Sequence, residues 1–388
     1  MKCKLSDICS FRKGKVEVEN LNAKNYISTE NMLPNKCGIT EASSLPTVSL
    51  TQEYNSGDVL VSNIRPYFKK IWQAEYDGGC SNDVLVFVPK PNTDKDFLYY
   101  VLADDDFFTY SMATSKGTKM PRGDKTSIMQ YEVSLIDLQV QKKIASVLKA
   151  LDEKIKLNNE INDNLEQQLR TIFKSEFTDN PELENITQIP LSELCHVVTK
   201  GTTPTTLGKP FVESGINFIK AESILDDHSI DKSKFAFIDE ETNTLLKRSI
   251  IHAGDVVFTI AGTLGRFALI DENIIPANAN QAVAIIRADV EKVLPEYIYT
   301  CFIGGWHTDY YAKRVQQAVQ ANLSLTTIKS LPIPLLDEAK MSEYLSLILP
   351  LIKAIKINEA QNEKLAALRD NLLPKLMSGE LDVSAVEL

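Results

Sequence analysis

Residues Leu148, Leu151, Ile155, Asn158, Asn162, Leu165, Leu169 and Ile172 follow one another in alternating steps of three and four. That is the a/d spacing of a heptad seam, and it prescribes a long helix whose apolar edge needs a partner. Adding 200 to each number gives Ile348, Leu351, Ile355, Asn358, Asn362, Leu365, Arg369 and Leu372. A single amphipathic helix lying on its own domain also buries such an edge. Asparagines at matching seam positions in both copies point instead to two helices paired with each other, since polar seam residues fix register at a cost in stability. The one break, Arg369, has Leu368 beside it, which is expected to fill the seam.

The repetition extends through the chain. "LSDIC" at 5–9 returns as "LSELC" at 191–195, "GDVLVSN" at 57–63 as "GDVVFTI" at 254–260, and "SIMQYEVSLID" at 127–137 as "TIKSLPIPLLD" at 327–337. The separation grows from 186 residues (Leu5 to Leu191) to 200 (Asp137 to Asp337) and then stays fixed. Each half is therefore a variable globular part followed by a tail of constant length, a duplication rather than a solenoid. The globular parts read as mixed α/β. "DVLVSNI", "DVLVFVP", "DVVFTIA" and "AVAIIRA" are short β-branched runs bounded by turn residues, and each Gly-Asp is read as a turn that launches a buried strand. "DFLYYVLADDDFFTYSM" and "EYIYTCFIGGWHTDYYAKRV" carry helical spacing. The expected fold is α+β: two similar mixed α/β domains joined by two long antiparallel helices in a coiled coil, with pseudo-twofold symmetry. The boundaries fall at 1–138, 139–178, 186–336 and 337–378.

If the halves are related by a pseudo-twofold axis, the helices run antiparallel. Centring the pair on residues 160 and 360 sets Asn158 opposite Asn362, Asn162 opposite Asn358, Ile155 opposite Leu365 and Leu165 opposite Ile355. A seam of about 25–30 residues is roughly 40 Å long. Two reading heads about that far apart would stand roughly one turn of DNA from each other.

Several chemistries are missing from the sequence. There is no GxxxxGK[ST] loop, no GxGxxG after a strand, no HExxH and no GxSxG. "GTLGRF" at 262–267 reads as a tight turn between strands. The four histidines stand singly, and the six cysteines form no CxxC pair, so neither a metal site nor a disulfide framework is expected. No apolar run is long enough to span a bilayer. "MKCKLSDICSFRKGK" lacks a signal-like apolar stretch, so a cytoplasmic location is expected. These absences favour a binding protein over an enzyme.

The contact candidates are clusters of cations, hydroxyls and amides. In the first half, "NIRPYFKKIW" supplies Arg65, Tyr67, Lys69 and Lys70, and strand alternation is expected to set Arg65, Tyr67 and Lys69 on one face. "SKGTKMPRGDK" supplies Lys116, Lys119 and Arg122. In the second half, "TKGTTPTT" supplies Lys200, Thr202, Thr203 and Thr205. Lys220 and Arg266 follow, and "YAKRVQQAVQAN" supplies Lys313, Arg314, Gln317 and Asn322. Arg and Lys neutralise phosphates or read guanine, while Asn and Gln read adenine. The net charge of −10 argues against binding a polyanion through bulk charge, and leaves the local charge of the binding face as what matters.

These stretches resemble the specificity subunit of type I restriction-modification systems over essentially the whole chain. "LSELCHVVTKGTTPT" is similar to the opening of a recognition domain, and "SGDVLVSNIRPYFKKIW" and "AGDVVFTIAGTLGRFAL" to its central strands. "IDLQVQKKIASVLKALDEKI" resembles the start of the family's conserved helix, and "LLPKLMSGELDV" its C-terminal ending. Two departures stand out: "FRKGKVEVEN" in the first half where the second has "TKGTTPTT", and "LDEAKMSEYLSL" where the first has "LQVQKKIASVL". The resemblance implies a non-catalytic subunit in which each domain reads one part of a bipartite, asymmetric site in double-stranded DNA. The helix pair would space the domains and dock two modification subunits, joined by restriction subunits. S-adenosylmethionine, ATP and Mg would serve those partners, with no cofactor in this chain. A recognition subunit working with a fused nuclease-methyltransferase, an enzyme with an unrecognised site, and a coiled-coil scaffold are the alternatives.

Overall fold

The computed structural model describes residues 2–180, 186–315 and 322–383. The chain divides into two compact units. Unit 1 is Met1–Leu157 with Gln361–Leu388, and unit 2 is Asn158–Ala360.

The central sheet of unit 1 has the order Cys9–Phe11, Val84–Pro89, Val59–Ser62, Ile71–Gln73, all antiparallel. Its inner strands are buried on both faces, which is why "VLVS" and "VLVFVP" read as continuous apolar runs. Alternation along them divides two cores. Val59, Val61, Leu85 and Phe87 pack toward the helices, whereas Leu60, Val84 and Val86 pack with Tyr54 and Cys80 of a second sheet. That second sheet runs Lys15–Glu17, Leu50–Tyr54, Gly78–Cys80, Tyr26–Ile27, the last pair parallel. A short ribbon of Lys2–Lys4 and Glu132–Ser134 completes the unit.

Unit 2 repeats the central sheet strand for strand and three strands of the second, while the fourth, Ala236–Ile238, pairs with Ile216–Ile219 at the edge opposite to the one that Lys15–Glu17 takes in unit 1. Its central sheet is Cys195–Lys200, Val283–Ala288, Val256–Thr259, Phe267–Leu269, and its second sheet is Ala236–Ile238, Ile216–Ile219, Ala277–Ala279, Ile250–Ile251. Gln188–Pro190 pairs with Pro332–Pro334. Val256 and Phe258 face the helices while Val257 faces the second sheet. The fold of the duplicated sequence is therefore itself duplicated.

Each helical stretch of the globular parts is broken in two. Asp104 ends Lys95–Ala103 with extended backbone, and its carboxylate accepts from the Asp106 amide to cap Asp105–Ala113. In unit 2, Gly305 at φ +75° separates Pro295–Ile303 from Thr308–Val315.

The two long helices are Leu138–Phe177 and Glu338–Ser378, of 40 and 41 residues. At 1.5 Å per residue each is about 60 Å long. In unit 1, Leu148 of the first shares a core with Leu373 and Leu376 of the second. In unit 2, Leu169 and Phe173 of the first share a core with Ile348, Ile352 and Ile355 of the second. Early residues of one meet late residues of the other in both places, so the helices are antiparallel. One expectation about the seam is overturned. Leu368 is 46% exposed and does not fill the break. Arg369 occupies it, with Nη1 2.7 Å from Asp152 Oδ1. Asp152 also accepts from the Tyr100 hydroxyl at 2.7 Å, so the guanidinium enters the seam because a carboxylate awaits it there.

Candidate nucleic-acid interface

In unit 1 the site is built on the hairpin between Val59–Ser62 and Ile71–Gln73. The expected strand alternation through Arg65, Tyr67 and Lys69 does not occur. Arg65 and Lys69 both adopt left-handed backbone, at φ 51° and 49°, around a single 3₁₀ turn at Pro66–Phe68. Proline at the first helical position favours that turn. Left-handed backbone at non-glycine residues persists only where the surroundings over-determine it, and here they do. Arg65 N donates to Pro121 O at 2.8 Å, Asn35 N to Phe68 O at 2.8 Å, and Lys36 N to Lys69 O at 2.9 Å. Asn35 and Lys36 are themselves left-handed. The turn holds Tyr67 and Phe68 outward, their rings 4.6 Å apart and each partly exposed.

The loop 115–124 closes on this tip. Lys116 and Arg122 exchange backbone hydrogen bonds of 2.8 and 2.9 Å, and Gly123 N donates to Asn63 O at 3.1 Å. Lys116 pairs with Asp124 at 2.6 Å, and Arg122 with Asp83 at 3.1 Å. The Lys116 ammonium, with the amide and hydroxyl of Ser127, holds the Asp124 carboxyl down to about 2. Lys119 is exposed at the loop's end. Lys70 is the exception in this group. Its ammonium donates to Thr29 O at 2.6 Å, and burial lowers its pKa. Tyr67, Lys69, Lys116, Lys119 and Arg122 thus belong to one surface, Arg65 stands half-buried at its edge with Nε buried, and Lys70 turns inward.

In unit 2 the matching hairpin tip is small and glycine-rich. Gly262 and Gly265 have φ of +76° and +90° between Val256–Thr259 and Phe267–Leu269, as a tight turn requires. Arg266 donates from Nε and Nη2 to Asp226, both at 2.6 Å. Beside it, Gly201 lies so close to the next strand that a Cβ there would be 2.0 Å from Ala279 O, so no other residue fits without displacing backbone. Thr202 N donates to Ala279 O at 3.0 Å and Asn280 N to Ile219 O at 3.0 Å, which places the 200–206 loop next to Lys220. Thr203 bonds to Gln281 through its hydroxyl. Lys200 and Thr205 are exposed, and Lys220 pairs with Glu222 at 2.8 Å. Asn322 is exposed, and the Leu323 amide that follows it donates to Ile260 O at 2.9 Å, joining this segment to the hairpin tip. The side chains of Lys313 and Arg314, and all of Gln317, lie outside the described residues.

Three cations on these surfaces escaped the sequence reading. Lys36 pairs with Asp105 at 2.8 Å, Lys209 with Glu241 at 2.7 Å, and Arg248 donates to the Thr202 hydroxyl at 3.2 Å. Lys36 and Lys209 sit in irregular segments and Arg248 in the short 3₁₀ turn Lys247–Ser249, none within a motif, and only folding brings them to the site.

The helix pair carries its own polar layer. Asn358 Nδ2 donates to Asn162 Oδ1 at 2.8 Å. Asn158 is fully buried. Among the described residues no group of histidines, cysteines and carboxylates has the form of a metal site, and no helix is long and apolar enough to cross a membrane.

Two copies of one sheet-and-helix unit, with cationic loops around differing hairpin tips and a long helix after each, define a duplicated recognition protein. Residues 1–167 and 184–367 match the model of the type I restriction modification DNA specificity domain, and the chain belongs to that family. It is similar to the type I restriction enzyme HindI specificity subunit of Haemophilus influenzae, 24% identical over 92% of this chain and 94% of the relative. It is also similar to the MjaIX specificity subunit of Methanocaldococcus jannaschii, 25% identical over 76% of this chain and 71% of the relative. Among solved structures, the S subunit of a type I restriction-modification system from M. genitalium shares the fold. It has 15% identity, a TM-score of 0.57, and coverage of 97% of this chain and 96% of that one. The chain is a non-catalytic specificity subunit, and its part in restriction-modification is DNA recognition.

Proposed function

We propose that the two domains, 1–138 and 186–336, each read one part of a bipartite, asymmetric DNA target through the major groove. The helices 139–178 and 337–378 space them and dock two modification subunits. Restriction subunits join that core in the cytoplasm. The partners use S-adenosylmethionine, ATP and Mg, and this chain orients them on the DNA.

The observation that carries the reading is the contrast between hairpin tips on one fold. Unit 1 presents Tyr67 and Phe68 between Arg65 and Lys69. Unit 2 presents Thr263 and Leu264 between glycines, with Arg266 behind them. Similar scaffolds with unequal tips suit the reading of two different short sequences. In this reading Arg65, Tyr67, Lys69, Lys116, Lys119 and Arg122 contact one part of the target. Lys200, Thr202, Thr203, Thr205, Lys220, Arg266, Lys313, Arg314, Gln317 and Asn322 contact the other. Lys70 supports its tip from within. Asn158, Asn162, Asn358 and Asn362 set the helix register and so the spacer.

Methylation mapping in a host carrying this gene and its partners tests the assignment. A two-part methylated motif is expected. Exchanging residues 1–138 for another domain of the family should change one part and leave the other. A change in both parts, or in neither, removes the assignment.

A further inference from the structure

Four cations of the surfaces proposed to meet DNA, Lys36, Lys69, Arg122 and Arg266, are held in the free chain by acids of their own unit. Asp105 lies between Lys36 and Lys69, 2.8 and 2.7 Å from their ammonium groups. Burial pushes the Asp105 carboxyl up, but the hydrogen bonds from Lys36 and Lys69 outweigh it and hold its pKa below the ordinary value. Asp83 takes Arg122 at 3.1 Å, and Asp226 takes Arg266 through both oxygens at 2.6 Å.

These acids differ from the ones that build the fold. The carboxylate of Asp124 caps its helix by accepting from Ser127 N, and Asp104, not Asp105, caps Asp105–Ala113. The carboxylates of Asp83, Asp105 and Asp226 hold only cations among the described residues. Their side chains are 34, 59 and 81% exposed, so they stand at the surface that the DNA would approach. A carboxylate on an Arg fork occupies the place a phosphate would take, with the same bidentate geometry.

We infer that Asp83, Asp105 and Asp226 compete within the chain for the cations that would otherwise bind DNA phosphates, and so restrain binding to DNA of any sequence. The inference rests on the DNA-reading assignment made above. Binding without sequence preference is almost wholly phosphate neutralisation with release of counterions. A cation that must leave its carboxylate gains less from a phosphate, and the freed carboxylate repels the backbone and collects a counterion of its own. Lys119 and Lys200 have no acid at pairing distance among the described residues and make the unrestrained contacts. Low non-target affinity matters because non-target sites vastly outnumber targets. It also accords with a DNA-reading chain of net charge −10.

The test uses the assembled complex with a non-target duplex and with the target found by methylation mapping. Asp83→Asn, Asp105→Asn and Asp226→Asn are made singly, and Asp105→Asn with Asp226→Asn together. Each single change should tighten non-target binding about threefold, the gain from opening one surface ion pair. The double change should tighten it about tenfold and steepen the dependence of log K on log salt by up to about one unit per released cation. Thermal melting separates restraint from scaffolding. An acid that only braces its loop should give a variant that melts lower and binds no tighter. Non-target affinity that is unchanged or weaker in the stably folded variants, beside a wild-type complex that still prefers its target, overturns the inference alone. A wild-type complex that binds no duplex preferentially overturns the DNA-reading assignment and this inference with it.

Discussion

The carboxylate of Asp255 accepts from Arg287 Nε at 2.8 Å and from Arg287 Nη2 at 2.7 Å, while one of its oxygens takes the His252 amide at 2.8 Å. Asp58 does the same in the other unit, with Arg12 at 2.5 and 2.9 Å and the Asn55 amide at 2.8 Å. The repeated Gly-Asp is therefore a glycine that turns the chain at positive φ and an acid that closes the turn and anchors an arginine. The arginine precedes the acid by 46 residues in unit 1 and follows it by 32 in unit 2. The same need is met from different strands: Arg12 directly follows the edge strand Cys9–Phe11, and Arg287 lies in the inner strand Val283–Ala288. Asp255 is wholly buried, so Arg287→Ala leaves a charge without its partner. A loss of about 3 kcal/mol or more in the stability of unit 2 is expected, read from denaturant unfolding. A loss below about 1 kcal/mol would show that the turn amides alone satisfy the acid.

The pair Asn162–Asn358 joins the helices inside unit 2. Asn358→Leu should destabilise by about 1 kcal/mol through the stranded Asn162 amide. Leu at both positions should recover most of that. A double-mutant cycle measures the coupling, and additive single effects would show that the hydrogen bond contributes nothing.

A second duplicated bridge ties each long helix to its own sheet. Lys156 meets Glu75 at 3.1 Å, and Lys356, 200 residues on, meets Asp271 at 3.5 Å and Glu359 at 2.9 Å. Their settings differ: the Lys156 side chain is 63% exposed and that of Lys356 only 16%. Lys156→Met should change stability by well under about 1 kcal/mol, as exposed pairs do. Lys356→Met leaves Glu359 and Asp271 facing each other with the cation gone, and should cost on the order of 2–3 kcal/mol. Equal costs, measured by urea unfolding, would contradict the dependence on burial.

What the sequence disclosed is what neighbouring residues encode. The heptads lie in consecutive turns, so both long helices could be read from spacing, and the direction of their pairing followed from a pseudo-twofold relation between the duplicated halves. Strand runs such as "VLVS" and "VVFT" were legible for the same reason. The tip at 63–70 was not, because the left-handed backbone of Arg65 and Lys69 is imposed by Pro121, Asn35 and Lys36, which are distant in sequence. The place of Arg369 in the seam is hidden on similar grounds. Nothing next to it foretells that Asp152 would draw a guanidinium into the seam. The acids that hold the candidate cations, Asp83, Asp105 and Asp226, were equally hidden, since each meets its partner only through tertiary structure.

Acid should weaken unit 2 through His307. This side chain is buried among Phe258, Phe267, Phe302 and Tyr311. Burial lowers its pKa from 6.5 to about 4, and the nearby His228 and Arg170 add to the shift. In the unfolded chain the ring takes its proton near the ordinary value, so between about 6.5 and 4 the unfolded state binds more protons than the folded one. Stability is therefore whole above pH 6.5 and declines as the pH falls toward 4, by on the order of 2–3 kcal/mol for this group. His307→Phe keeps an aromatic ring in an aromatic pocket and removes the titration. Its melting temperature should match or exceed wild type at pH 5 while lying close to it at pH 7.5. An equal loss in both proteins between those two pH values would assign the acid sensitivity to other groups.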